Sequence, residues 1–369
     1  ANGWSLTASE LRGNTIANPA LGAVVLAASG TLTASNSRIT DHEGPGVDAL
    51  TGLGGDSWTN VNVQRNGRGT GASRVTAGFR LGGSATRVDR CVITDQGGAG
   101  IQVGSSGANH TFTRNRLRDN GTIGIDLQRA SDNAALGTAP YVTINDNGDT
   151  DAGGNALVNF PVIQSAVLAN GNFTVSGWSR PGAVIEVFVS DGDASQFGEG
   201  ATFVSTFTEG SGADLDAGAS AYSGSVNGVA QGTDLTNHFR FTIAAPLGVA
   251  AGIRLTATAT QTGIGTSEFS GIVTVTTGVS LSGIAYHDLD HDAQRDPGET
   301  GTLQTLYAKL VRTGTGLVSQ TVNVNPTTGA YAFTFVNAGA YDIILDQDAS
   351  PADLMPTVPP GWLGTEVSS

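Results

Sequence analysis

The first 144 residues repeat a short pattern of apolar and small positions. Five segments carry it: "GAVVLAA" at 22–28, "GVDAL" at 46–50, "GFRLGG" at 78–83, "GIQVGS" at 100–105 and "GIDLQ" at 124–128. Their first apolar column is Val24, Val47, Phe79, Ile101 and Ile125. Two positions on stand Leu26, Ala49, Leu81, Val103 and Leu127. Eight positions before the first column lie Ile16, Ile39, Ile93 and Leu117, and ten before it Asn14, Ser37, Cys91 and Asn115. Alternation within segments, recurring at about 23 residues, predicts a right-handed parallel β-helix whose like side chains stack from rung to rung. The interval from Val47 to Phe79 is longer. It places roughly ten extra residues around "GRGTGASRVTA" in a loop.

The pattern changes after residue 144. From Phe160 to about Val275, "NFTVSGWS", "AVIEVFVS", "FRFTIAA", "IRLTATATQ" and "SGIVTVTT" alternate, separated by the turn signals "ANGN" and "RPGA". This predicts a β-sandwich of the Ig-like class. A further set of strands follows: "LSGIAY", "YAKLVRT", "SQTVNVNP", "TTGAYAFTFV" and "AGAYDIILD". The expected fold is therefore all-β. Residues 1–144 form a parallel β-helix, 145–159 an acidic junction, 160–278 an Ig-like sandwich and 279–369 a second sandwich.

Composition narrows the function. The chain has 369 residues, 53 of them Gly, with 14% charged residues and a net charge of −14. Nucleic acid is not an expected partner, because it demands a basic surface. An anionic membrane surface is equally unexpected, whereas divalent cations suit such a charge. The single Cys91 precludes an internal disulfide and is expected as a small, partly buried turn residue. No apolar run reaches the length of a membrane span, so no membrane insertion is expected. The first residues read as mid-domain, so a processed form or a fragment is expected.

The densest chemistry lies at 288–299, "DLDHDAQRDPGE". With Asp288 as first position, Asp290 is third, Asp292 fifth, Gln294 seventh, Asp296 ninth and Glu299 twelfth. These are the ligand positions of an EF-hand-type calcium loop, the seventh acting through its backbone carbonyl. Five neighbouring carboxylates repel one another, and a cation relieves that repulsion. One departure is Ala293, where the loop pattern has Gly. The flanks are strands, and His287 and His291 are not expected to ligate a hard ion. Asp146, Asp149, Asp151 and Asn155 in the junction form a second candidate calcium set, with an Asx-turn loop as the alternative. In "TRNRLRDN", Arg114, Arg116 and Arg118 are expected on one outer face, opposite Asn115 and Leu117. That face is either simply solvated or a sugar-binding or lyase patch. Asp191, Asp193 and Glu199 read as a loop, His238 as structural, and Lys309, the only lysine, as solvent-facing.

Three resemblances attach to these residues. The repetitive first segment resembles β-helix proteins secreted by bacteria, a group that includes polysaccharide lyases and hydrolases. It lacks the paired aspartates and Gly-His-Gly turn of the pectin-hydrolase type, and no lysine occurs in it to serve a lyase. The acidic loop running into "NFPV" resembles junctions that follow β-helices in large secreted bacterial proteins, and the Pro-Gly turn into "VIEVFV" is similar to bacterial Ig-like modules. The strand before "DLDHDAQRDPGE", the pair "GAYAFTFVNAGAYDI" and the closing "PPGW" resemble the calcium-binding B-type repeats of serine-aspartate-repeat adhesins. These are relatives of collagen-adhesin B-type modules, some of which form a Lys–Asn bond. The calcium-binding subgroup generally uses metal instead. The resemblances imply an extracellular or cell-surface structural protein stiffened by Ca²⁺: an adhesin, stalk, surface-layer or filament subunit. Its partners would be other subunits or a surface polysaccharide or protein. The alternative is a polysaccharide lyase or hydrolase acting through the β-helix face. The scattered Trp4, Trp58, Trp178 and Trp362 do not argue for a carbohydrate-binding module.

Overall fold

A computed structural model describes residues 3–13, 19–26, 30–193, 195–292, 294–314, 316–350, 354–360 and 362. Asn14, Ile16 and Ala293 lie outside the described residues. The chain is all-β, with a parallel β-solenoid of five rungs followed by antiparallel sheets. Among the described residues, no helix is long and apolar enough to cross a membrane.

Each rung contributes one strand to each of three walls. Wall one comprises Gly3–Thr7, Thr31–Ser35, Ser57–Thr59, Arg87–Asp89 and Thr111–Thr113. Wall two comprises Glu10–Arg12, Arg38–Thr40, Asn62–Gln64, Val92–Thr94 and Arg116–Arg118. Wall three comprises Val24–Val25, Val47–Ala49, Phe79–Leu81, Ile101–Val103 and Ile125–Leu127. Wall three is built on the two predicted columns, Val47 stacking on Phe79 and Ala49 on Leu81. Wall two uses the predicted Ile39, Ile93 and Leu117, with Val63 as their third-rung member. The extra residues lie between walls two and three, so Val63 sits well upstream of where counting back from Phe79 would place it. Wall one fills the interior with Leu32, Ala34, Trp58, Val88 and Phe112, all buried. Trp58 meets Phe79 edge-on at 5.2 Å. Outside, wall one carries two rows in register: Ser5, Thr33, Ser57, Arg87, Thr111, and Thr7, Ser35, Thr59, Asp89, Thr113.

The corners also stack. Between walls one and two, Ala8, Asn36, Asn60, Arg90 and Arg114 all take positive φ. Arg114 is therefore a corner residue, and only Arg116 and Arg118 share an outward strand face, which corrects the expectation of three arginines in a row. Asn115 and Leu117 point inward as expected.

Side-chain ladders run through the corners. The His42 N–H donates to Asn66 Oδ1, Asn66 N–H to Gln96 Oε1, Gln96 N–H to Asn120 Oδ1, and Asn120 N–H to Glu199 Oε2. Each such net bond contributes about 1 kcal/mol, and each buried donor left open would cost more. In a second ladder Val61 donates to Cys91 Sγ, and Cys91 N–H to Asn115 Oδ1. Burial pushes the Cys91 thiol up to about 12, so it is a packing residue and not a nucleophile.

The next unit closes the solenoid. Carboxylates from the sandwich and the Asn155 amide from the junction accept N–H groups at the solenoid's open end. Glu186 Oε2 accepts Arg114 N at 2.7 Å and Asp191 Oδ2 accepts Asp119 N at 3.2 Å. Glu268 accepts Leu127 N at 2.8 Å and Thr143 N at 2.6 Å, while Asn155 Oδ1 accepts His110 N at 2.9 Å. Phe188 and Phe269 pack into the solenoid core beside Leu157 and Val158. Burial pushes Glu199 up to about 8. Unfolded, it ionises near ~4.3. Between those values the folded chain holds a proton that the unfolded chain has lost, so stability falls as pH rises. Glu199→Gln removes that slope. Its melting temperature is expected to gain on the native chain from about pH 5 to pH 8, by on the order of a few kcal/mol in stability. Parallel pH profiles for the two proteins would contradict this.

The sandwich faces one sheet of Gly218–Val226, Val229–Ala244, Asn172–Ser179, Val162–Ala169 and Thr276–Thr277 against another of Gly200–Thr208, Val184–Ser190, Arg254–Gln261 and Gly265–Thr266. Phe173, Val175, Ile185, Val187, Phe239 and Leu255 fill the space between. His238 is buried and bonded to Asp216 and Gln164, as a structural histidine is. The last unit sets Val279–Ile284 with Ala330–Val336 against a sheet of Leu317–Val324, Leu306–Arg312 and Tyr341–Asp346. Lys309 lies on the central strand of that second sheet. Contrary to expectation it is fully buried, with Nζ 2.7 Å from the equally buried Asp346. Thr357, beyond the last strand, donates its N–H and its hydroxyl to Asp346.

Candidate metal centre

The junction gathers Asp146, Asp149 and Asp151, each with a ligand oxygen within 4.8 Å of the others'. Two residues from outside the cluster hold its loop. Asn159 donates from its backbone to Asp149 Oδ1 and from its amide to the Asp146 carbonyl and to Asp234 Oδ2. Asp234, on the long strand Val229–Ala244, accepts Gly148 N at 3.0 Å. Arg180 lies 3.6 Å from Asp149 and 3.5 Å from Asp234, and Arg129, just past the last solenoid strand, 3.5 Å from Asp151. Four carboxylates thus face two guanidinium groups, which leaves two negative charges. That surplus equals the charge of one divalent ion.

The oxygen inventory points the same way. Asp146 Oδ2 accepts the Thr150 N–H and hydroxyl. Asp146 Oδ1 and Asp151 Oδ1 are sealed from solvent and have no hydrogen-bond partner among the described residues. A buried carboxylate oxygen without a donor is costly. Burial raises the Asp149 and Asp151 carboxyls above the usual range, and the Asp146 charge adds to both. A hard cation with oxygen ligands would remove each of these penalties, so the residues could hold such an ion. Asn155 stands apart from this group and does not add a ligand to it. Its Oδ1 accepts His110 N, and its amide donates to the His110 and Thr266 carbonyls. Gly265 backs directly onto that amide, where a Cβ would come within 2.4 Å of it.

The loop at 288–299 is more open. Asp288, Asp290 and Asp292 converge within the same 4.8 Å, with Asp290 and Asp292 exposed. Asp296 and Glu299 do not join them. Glu299 is buried and braces the loop, with Oε1 accepting Leu289 N at 2.7 Å and Oε2 accepting Asp296 N at 2.9 Å. Asp288 Oδ1 accepts His291 N and Asp292 Oδ1 accepts Gln294 N. Backbone amides occupy one oxygen each of Asp288 and Asp292, as they do of Asp146 and Asp149, but the loop is the more exposed of the two.

The solenoid face available for chemistry is restricted. Outside wall three, Asp48, Arg80, Gln102 and Asp126 form a polar column. The segment after the last strand lies over it: Arg80 Nε donates to the Ala134 carbonyl at 3.0 Å, and Gly137 abuts Asp126. Burial there pushes Asp126 up to about 7.

Fold and junction together define an all-β modular chain in which a parallel solenoid is capped by a sandwich through an acidic joint. Compared with protein-family models and with curated proteins, the chain matches none.

Proposed function

We propose that this is an extracellular structural or adhesive protein whose joints are stiffened by calcium. It would serve as an adhesin, stalk, surface-layer or filament subunit. The observation that carries the reading is the pair of sealed, partnerless oxygens on Asp146 and Asp151, at the point where solenoid and sandwich meet. Asp146, Asp149 and Asp151 would hold the ion, which supplies the missing positive charge. Arg129 ties this group to the solenoid end, and Asp234 ties it to the sandwich, so binding there couples the two units. The loop at 288–299, with its resemblance to B-type modules, is a second and weaker candidate for calcium. The segment covering wall three counts against a lyase or hydrolase acting on that face.

Limited trypsin digestion tests the coupling. Calcium is expected to slow cleavage after Arg129 relative to EDTA, because an ion on Asp151 fixes the adjoining segment. Equal cleavage rates in both conditions would count against the proposal.

A further inference from the structure

Charge is divided unevenly along the chain. Residues 1–144 hold twelve arginines against ten carboxylates, while the remainder holds five arginines and one lysine against twenty-two. One cluster on the solenoid brings three arginines onto a single acid. Asp89, on the outer row of wall one, is buried, and three guanidinium groups converge on it. Arg90 lies at 2.9 Å, Arg114 at 3.1 Å and Arg87 at 3.5 Å. Asp89 and Glu186 together offset two of the three guanidinium groups, which leaves one positive charge. All three arginine side chains keep a third or more of their surface in solvent. Glu186, beneath Arg114, accepts the Arg114 backbone N–H, a neutral donor that leaves its charge in place.

The cluster interrupts the two serine and threonine rows that run from Ser5 to Thr111 and from Thr7 to Thr113. Successive rungs repeat at about 4.8 Å, so the hydroxyls form a regular array, apart from the Thr113 oxygen, which is sealed from solvent. Around the arginines that face lacks the aromatic anchors that a protein partner needs, since Trp58 and Phe112 point inward; Trp4, exposed in the first rung, shares the inward register of Leu32. Hydroxyls both donate and accept, as sugar hydroxyls do, and the arginine fork pairs with carboxylates in two parallel bonds.

The geometry points to wall one as a binding face for an extended, carboxylate-bearing polysaccharide, with Arg87, Arg90 and Arg114 taking its acid groups. This gives a partner to the adhesive reading above and rests on it, but requires no calcium.

The test is affinity electrophoresis of the whole chain in hyaluronate and in uncharged dextran, each with EDTA and with calcium. Retardation is expected in hyaluronate in both conditions, weakening with salt, and none in dextran. The double substitution Arg87→Ser with Arg90→Ser should weaken binding about tenfold or more while the chain stays folded, with Arg114 remaining on Asp89. Arg74→Ser, on the loop between walls two and three, should bind normally. No retardation in hyaluronate, or undiminished binding by the double variant, would overturn the inference. If binding is absent while calcium still protects Arg129 from trypsin, this inference fails and the calcium reading stands.

Discussion

Lys309→Met is expected to destabilise the last unit by about 3–5 kcal/mol, the cost of breaking a buried ion pair from one side. The methionine fills the same space but leaves Asp346 buried without its counter-charge. Burial alone would raise the Asp346 carboxyl. Bonds from Lys309, from the Thr357 hydroxyl and backbone, and from Asp348 N outweigh it and hold the group well below the usual range. Its contribution is therefore full above the unfolded value of about 3.9 and is lost as pH falls below it. Urea unfolding at pH 7 checks the first claim. The double variant Lys309→Met with Asp346→Leu should recover most of the loss, because neither charge is then stranded. A single variant within about 0.5 kcal/mol of the native chain, as for an ordinary surface substitution, would mean the pair is not needed.

Asp151→Asn is expected to change sign with calcium. In EDTA the substitution should be neutral or stabilising. Burial and the Asp146 charge raise the Asp151 carboxyl, so its ionised form carries a penalty at pH 7 that asparagine lacks. The contact with Arg129 is partly exposed and contributes at most about 1 kcal/mol. In calcium the order reverses. An ion binding only the folded chain stabilises it by about 2.7 kcal/mol at one hundred times its dissociation constant. The variant forgoes much of that. Thermal melts of both proteins in both conditions give the four values needed. A variant equally displaced in EDTA and in calcium would show that Asp151 does not meet the ion.

The parts of the fold legible in the sequence are those where one strand carries two apolar positions. Wall three reads directly from Phe79 and Leu81 or Ile101 and Val103. Wall two has one inward residue per strand and survives only where spacing is regular, so Val63 is displaced by the inserted loop. Wall one was not apparent. Its strands alternate single apolar residues with serine and threonine over as few as three positions, too short for a periodicity to stand out. Lysine is seldom buried, which is why Lys309 reads as exposed. Only its pairing with the buried Asp346 reveals otherwise.

The candidate sites divide in the same way. The spacing of Asp288, Asp290 and Asp292 is local, and so is their convergence. Whether a carboxylate is free is not local, as Glu299 shows by accepting two backbone N–H groups. Asp234, Glu199 and Glu268 are single acids in strands or loops, and each acts on residues more than seventy positions away. No sequence window contains both ends of such a contact. Asn155 has the chemistry of a ligand, but the cap uses its amide.

The most direct test of the account is the calcium content of the chain after exhaustive dialysis against low free calcium, measured by elemental analysis alongside the double variant Asp146→Asn with Asp151→Asn. The native chain is expected to retain at least one calcium that the variant loses. A native chain without calcium, or a variant that retains as much, would contradict it.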